Sequence, residues 1–252
     1  MIPYLHLGPL SLPTFGIMVA LGLFVSAYIL QADFDRRAFK ADAFLMITVA
    51  GLAGIAGAKL YHLLEPENRD LFFAHPLSLL LDRFGFAWFG SFLAGFAAML
   101  WMGWRAKLPL VEFLDACSPA ASFGYAIGRI GCFLSGDGDY GKPTSLPWGM
   151  SFPNGVMPTT ERVHPAPLYE LIIWCAIGTL LWHLGTRALK SHKKGGEIFC
   201  AYLILTGVAR LLVEIIRINP PWIFGMSNAQ VASVMSILAG AVLLWRVKST
   251  AR

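Results

Sequence analysis

Long apolar runs separated by short polar segments set the rhythm of this chain. Seven stretches approach the ~20 apolar residues that a bilayer core requires, at roughly 13–31, 43–64, 85–103, 113–134, 166–186, 197–217 and 228–247. Each is predicted to be a helix, because an open strand leaves its backbone groups unsatisfied in lipid. The fourth run is the least regular, with Asp115 and Pro119 near its start. The pattern predicts an all-α fold: a polytopic membrane protein of about seven transmembrane helices, forming a single integral-membrane domain over residues 1–252.

Two connections depart from simple loops. Residues 66–84 hold apolar Leu71-Phe72-Phe73 and Leu77 to Leu81 around His75-Pro76, a pattern that fits a short helix lying in the headgroup layer. Residues 136–167 form the longest connection and the one richest in Gly and Pro, and such segments are frequently functional.

Composition agrees with the pattern. The chain is 56% hydrophobic and only 14% charged, against about 25% charged in a soluble domain, and mean hydropathy is +0.61. The net charge of +5 does not imply nucleic acid, because the basic residues sit between apolar spans, where they set topology and meet anionic headgroups. The N-terminus lacks a basic leader, and its first apolar run is long enough to remain as a span. Cys117, Cys132, Cys175 and Cys200 lie in apolar segments without metal-type or disulfide-type spacing. No metal or cofactor site is expected.

Charge asymmetry orients the spans. Arg36, Arg37 and Lys40 follow the first run, Arg105 and Lys107 the third, Arg187, Lys190, Lys193 and Lys194 the fifth, and Arg246, Lys248 and Arg252 close the chain. The opposite connections hold fewer: Arg69, Arg83, Lys142, Arg162 and Arg217. The excess places the C-terminus in the cytoplasm and the N-terminus outside. Residues 65–84, 135–165 and 218–227 then face outward.

The chemistry concentrates toward that outer side. Gly128-Arg129-Ile130-Gly131 puts an arginine between two glycines at the end of a span. Arginine at membrane depth is costly unless it is paired or handles an anion, and flanking glycines let a backbone or a ligand come close. Arg210, Glu214 and Arg217 follow an i, i+4, i+7 spacing that puts them on one helical face. Arg210 and Glu214 can pair there, either locking helix packing or lining a polar cavity with one arginine left for an anion. Lys59 and His62 share a face near the end of the second run, where snorkelling to the interface is the alternative role. Arginines and a lysine drawn from three helices suit a phosphate group. His164 precedes a proline and so takes extended backbone; its pKa class suits a proton carrier. Tyr169 and Glu170 open the fifth run, where an acid also suits a helix N-terminus. No P-loop, dinucleotide or Ser-His-Asp pattern is present.

Taken in order, these motifs resemble the prolipoprotein diacylglyceryl transferase family. The resemblance rests on Gly128-Arg129-Ile130-Gly131 with Phe133, on Leu146-Pro147-Trp148-Gly149-Met150-Ser151-Phe152-Pro153, and on His164-Pro165 with Leu168-Tyr169-Glu170. Arg210, Glu214 and Arg217 match its sixth span, and His6-Leu7-Gly8-Pro9 with Phe15-Gly16-Ile17-Met18 match its first. It covers essentially the whole chain.

The resemblance implies a multi-pass bacterial inner-membrane transferase without a cofactor. Its partners would be phosphatidylglycerol, the signal peptide of a prolipoprotein with its lipobox cysteine, and membrane lipids, with no nucleic acid. The reaction implied moves the diacylglyceryl group to that cysteine thiol and releases glycerol-phosphate. Arg129 and Arg210 would bind the phosphate and Glu214 would orient them. Arg217, Lys59, Gly128, Gly131, Gly141 and Tyr169 complete the implied lipid site, with His62 and His164 as catalytic candidates.

Four positions depart from the family pattern. Phe89, in Ala87-Trp88-Phe89-Gly90-Ser91, stands where a histidine is usual. Cys132 replaces an asparagine, and Ser135-Gly136-Asp137 replaces Asn-Gly-Glu with a one-residue insertion after it. Lys59 replaces an arginine, keeping charge but losing the bidentate fork. The binding residues are thus kept while the deprotonating group is changed. Another group, His62 first and His164 second, takes that role; or the thiol needs little help; or the acceptor is not a cysteine. The alternative functions are a transferase of the same fold with another acceptor and a non-enzymatic protein that binds or flips anionic lipid.

Overall fold

The computed structural model describes residues 1–65, 67–68, 72–73, 80, 87–191 and 195–250. Among them are seven long helices: α1 (Thr14–Arg36), α2 (Ala43–Leu64), α3 (Trp88–Arg105), α4 (Leu110–Ser135), α5 (Ala166–Lys190), α6 (Glu197–Glu214) and α7 (Asn228–Thr250). The protein is a mostly helical, polytopic membrane protein. By length and apolar composition alone, α1, α2, α5 and α7 qualify as spans. Of the others, α4 and α6 carry charged residues within their length, Asp115 and Arg129 on α4 and Arg210 and Glu214 on α6. Large side chains such as Leu52, Ile172 and Trp245 are more than 60% exposed. So much exposed apolar surface is ordinary where lipid is the solvent and unusual where water is. The expected interfacial helix at 66–84 lies largely outside the described residues.

The helices follow the sequence expectation within a few residues, with one informative exception. The sixth span was expected to run to residue 217, but α6 ends at Glu214. Ile216 N–H turns back to Val213 O at 3.1 Å, while Lys142 N–H takes Ile216 O at 2.7 Å and so draws the chain out of the helix. Asn219 then precedes Pro220, where helical backbone is disfavoured. Arg217 therefore leaves the helical face and sits in an antiparallel bridge with Gly141.

Four short strands were not anticipated. β1 (Tyr4–Leu7) pairs antiparallel with β2 (Leu10–Pro13) before α1. β3 (Met150–Phe152) pairs antiparallel with β4 (Thr159–Val163) inside the Gly/Pro-rich connection. Strands this short carry too few alternating positions to register as a period.

The described residues form two compact units, Met1–Leu30 with Val111–Arg252, and Gln31–Leu110. In the first, Gly131 of α4 abuts α1: a Cβ there would lie 3.1 Å from Met18 Cβ and 3.2 Å from Phe15 Cα. Asp115, which made the fourth run look weak, is 3% exposed. Its carboxylate accepts Gly196 N–H at 2.7 Å and Phe199 N–H at 2.8 Å, satisfying two free donors at the start of α6. Trp174, Ile177 and Leu181 of α5 build the core with Ala126, Ile198 and Ala209. In the second unit α2 packs on α3 through glycines, with Gly57 O only 2.3 Å from a Cβ placed at Gly90.

Candidate anion site

The centre of the first unit is a carboxylate, Glu170, in the second turn of α5 and wholly buried. A buried acid is tolerable only if it is paired and hydrogen-bonded, and Glu170 is surrounded accordingly. Arg210 NH1 donates to its Oε1 at 2.5 Å, and the Tyr125 hydroxyl donates to the same oxygen at 3.0 Å. Arg129 Nε lies 2.9 Å and Arg217 NH1 3.6 Å from Oε2. Three arginines, from α4, from α6 and from the segment after it, thus converge on one acid.

Each arginine is fixed a second time. Arg129 NH2 donates to the Tyr125 hydroxyl at 2.5 Å, and its guanidinium lies over the Tyr125 ring at 4.7 Å, a cation–π contact. Tyr125 is backed by Trp174, ring centroids 4.6 Å apart. Arg210 NH2 sits 3.2 Å from Glu214 Oε2, the intrahelical pair that the spacing predicted. Glu214 Oε1 accepts the Ser227 hydroxyl at 2.6 Å and the Asn219 amide at 2.5 Å. Arg217 donates to one oxygen of Asp139 and Arg129 to the other, so this loop carboxylate bridges the two guanidinium groups.

The arginine expected to remain over for an anion is therefore charge-matched. Arg129, Arg210 and Arg217 face Glu170, Glu214 and Asp139, three against three. Yet Arg217, whose side chain is 7% exposed, has no hydrogen-bond partner for Nε or NH1 among the described residues. Nε of this buried guanidinium is left without a partner among those residues, and NH1 has only its 3.6 Å ion pair with Glu170 Oε2.

Asp139 differs from the other two acids. Its side chain is 31% exposed, against 0% for Glu170 and 2% for Glu214. It follows Gly138, whose φ of +93° is a left-handed conformation that favours glycine. Burial alone would raise its pKa, but the Arg129 and Arg217 guanidinium groups outweigh that and hold it down at about 2. Neighbouring Asp137 is pushed the other way, by burial and by the Asp139 charge. Asp139 N–H donates to Asp137 Oδ1 at 3.2 Å. Cys132, Asp137 and Asp139 bring ligand-type atoms within 4.8 Å of one another. Both Asp139 oxygens are already taken by arginines, whose charges also oppose a cation.

A second chain of polar contacts flanks this network. Trp148 Nε1 donates to the Tyr169 hydroxyl at 2.8 Å, which is 3.2 Å from His164 Nδ1. The His164 backbone is tied to the same loop, accepting Gly141 N–H at 2.8 Å. Gly141 is closely packed: a Cβ would lie 2.6 Å from Ile216 O and 2.9 Å from His164 Cβ. Gly128 has nothing within 4 Å of such a Cβ and faces open space.

Lys59 and His62 belong to the second unit, on α2. His62 Nδ1 lies 3.0 Å from Glu65 Oε2, and the Asn68 amide donates to His62 O at 3.1 Å. Phe89, on α3, is 51% exposed and meets Trp88 edge-on at 5.3 Å; its ring can neither take nor give a proton. The sequence reading therefore found Arg129, Arg210, Glu214 and Arg217, which the structure assembles. It passed over the tyrosine that joins Arg129 to Glu170, and it saw Glu170 only as a favourable helix-start residue. An ionisable residue in an apolar span was the available signal for Glu170; for Tyr125 it was the i, i+4 spacing to Arg129 on α4.

Comparison with known proteins extends over the same residues. A family model described as prolipoprotein diacylglyceryl transferase matches residues 3–246. The phosphatidylglycerol–prolipoprotein diacylglyceryl transferase of Clostridium tetani is 29% identical over 230 residues, covering 90% of this chain and 89% of the relative. That of Photobacterium profundum is 29% identical over 255 residues, covering 97% and 92%. That of Aeromonas salmonicida is 28% identical over 248 residues, covering 95% and 87%.

Proposed function

The chain is a transferase belonging to the prolipoprotein diacylglyceryl transferase family, and from that premise we propose that it transfers the diacylglyceryl group of phosphatidylglycerol to a lipobox cysteine thiol of a prolipoprotein. The observation that carries this reading is the convergence of Arg129, Arg210 and Arg217, with Nε of Arg217 unpartnered among the described residues. Planar guanidinium groups fit phosphate oxygens in pairs. Held rigid by Glu170, Tyr125 and Glu214, they need no rearrangement as charge builds on the leaving group, the condition under which fixed dipoles and charges speed a reaction most.

In this reading the thiol sulfur attacks the glycerol carbon of the donor and an S–C bond forms. The bond between that carbon and the phosphate ester oxygen breaks, and its electron pair leaves with that oxygen on glycerol-phosphate. Arg129, Arg210 and Arg217 hold the phosphate, and Glu214 keeps Arg210 in place. The open side of Gly128 gives the lipid room, while Gly131 and Gly141 hold the walls close to α1 and to the chain after α6. Trp148, Tyr169 and His164 form a polar rim for the glycerol headgroup. The site lies on the outward side of a bacterial inner membrane, opposite the cytoplasmic helix ends that Arg187, Lys190 and Lys248 mark. No role at this phosphate seat is assigned to Lys59 or His62.

The test is purified protein with phosphatidylglycerol and peptides that carry cysteine, or serine in its place, within a lipobox. Release of glycerol-phosphate with the cysteine peptide alone supports the reading. Release only with another acceptor makes the chain a transferase of different specificity. Lipid binding with no release from any peptide leaves a lipid-binding protein and rejects the proposal.

A further inference from the structure

A thiol acceptor must lose its proton, and Phe89 stands where the resemblance supplies a histidine. We propose that Asp139 takes this proton: it fills the phosphate seat in the resting protein, is displaced by the donor's phosphate, and then acts as the general base. The proposal rests on the diacylglyceryl-transfer reading.

Charge arithmetic comes first. With Asp139 in place the three arginines face three carboxylates and the network is neutral. Without it the balance is three positive charges against Glu170 and Glu214, or +1. A phosphodiester carries one negative charge, so the exchange is one for one. Mobility comes next. Glu170 and Glu214 are buried on helices and held by Tyr125, Ser227 and Asn219, whereas Asp139 lies in a loop, one residue after Gly138, and is the exposed member. The donors come third. A carboxylate offers two oxygens, and both are already used on Arg129 and Arg217. A phosphodiester brings its own oxygens to Nε of Arg217, which nothing among the described residues bonds, and to NH1, which has only its 3.6 Å ion pair with Glu170.

Displacement also changes what Asp139 can do. Bridging Arg129 and Arg217, it is too weak a base to take a thiol proton. Once the phosphate neutralises those arginines, the carboxylate is left beside like charge, which raises its proton affinity. The groups that face it are Arg129 and Cys132 on α4, Arg217 after α6, Asp137 in its own loop, and Glu170 on α5 through the shared arginines. It cannot go far: two residues on, Gly141 is bonded to His164 and bridged to Arg217. In the balanced step the S–H proton passes to the Asp139 carboxylate as the S–C bond forms and the C–O bond breaks. The departing glycerol-phosphate gains a second negative charge against the arginines, takes that proton as it leaves, and Asp139 closes again.

The experiment compares the full-length wild-type protein with Asp139→Asn and Asp139→Glu. It measures phosphatidylglycerol binding in nanodiscs and steady-state turnover against pH with a lipobox cysteine peptide. Asp139→Asn should bind the lipid about 3–10-fold more tightly, because the resident competitor has lost its charge. Its kcat should fall about 100-fold, the low end of general-base catalysis, with loss of the acid limb of the kcat profile. Asp139→Glu should recover part of kcat. Wild-type kcat in Asp139→Asn, or parallel loss of binding and kcat, overturns the proposal. Failure of the underlying reading looks different: the wild-type protein then releases no glycerol-phosphate with any thiol peptide. That removes the proton-transfer half as well, while lipid binding by Asp139→Asn still decides the displacement half.

Discussion

Arg210 donates to Glu170 across 40 positions of sequence, at 2.5 Å, joining the second turn of α5 to the last turns of α6. Glu170 is the acid on which all three arginines depend. Removing its charge leaves buried guanidinium groups facing one another, and loss of one partner from a buried pair costs about 3–5 kcal/mol. Glu170→Gln is expected to lower the thermal midpoint of the detergent-solubilised protein by several degrees and to abolish turnover. A midpoint equal to wild type would show that the network is not what holds α4, α5 and α6 together.

Arg129 tests geometry rather than charge. It contacts Glu170 with Nε, Tyr125 with NH2 and both Asp139 and Cys132 Sγ with NH1, a spread that a single ammonium cannot reproduce. Arg129→Lys should therefore lose at least about tenfold in kcat/KM, equivalent to ~1.4 kcal/mol. Wild-type turnover would return Arg129 to a residue that merely reaches the interface.

Much of this was legible in the sequence, and what was not has a physical reason. Apolar length placed seven spans, and i, i+4 spacing placed the Arg210–Glu214 pair, because both are local properties. Glu170 escaped because Arg210 and Tyr125 lie 40 and 45 positions from it, beyond any periodicity, and Tyr125 because its i, i+4 spacing to Arg129 does not by itself mark a tyrosine as a partner. Arg217 was read onto a helical face since nothing local ends α6 before Asn219-Pro220. Asp139 stood in view as part of a polar block, but only the fold shows that the inserted loop carries it onto two arginines.

The glycines divide by what stands opposite them. Gly141→Ala places a methyl 2.6 Å from Ile216 O. Overpacking of this kind costs about 1–3 kcal/mol, so a lower thermal midpoint and reduced turnover are expected together. Gly128→Ala meets open space. It should leave the midpoint unchanged and raise KM for phosphatidylglycerol, and an unchanged KM would remove Gly128 from the lipid site.

Acid should spare the Asp139 bridge until low pH. Its pKa in the folded protein, about 2, lies below the ordinary value near 3.9. The stabilisation is then fully present above ~4 and is lost as pH falls toward 2. The difference in thermal midpoint between wild type and Asp139→Asn should be constant from pH 8 to 5 and shrink toward zero between pH 4 and 2. A difference that vanishes near pH 6 would place a histidine, not Asp139, in control.

The two histidines separate by kinetics. His164 borders the rim with Tyr169, so His164→Phe should raise KM for the lipid several-fold with kcat changed less than about threefold. His62→Phe should change neither by more than that. A fall of kcat by about 100-fold in either variant, with lipid binding intact, would make that histidine the proton acceptor.

Mass spectrometry of a lipobox peptide after incubation with purified protein and phosphatidylglycerol reports on the central claim most directly. The predicted result is one diacylglyceryl group on the cysteine sulfur for each glycerol-phosphate released, with both products lost in Arg210→Gln. An unmodified cysteine peptide, while phosphatidylglycerol binds normally, would contradict the account.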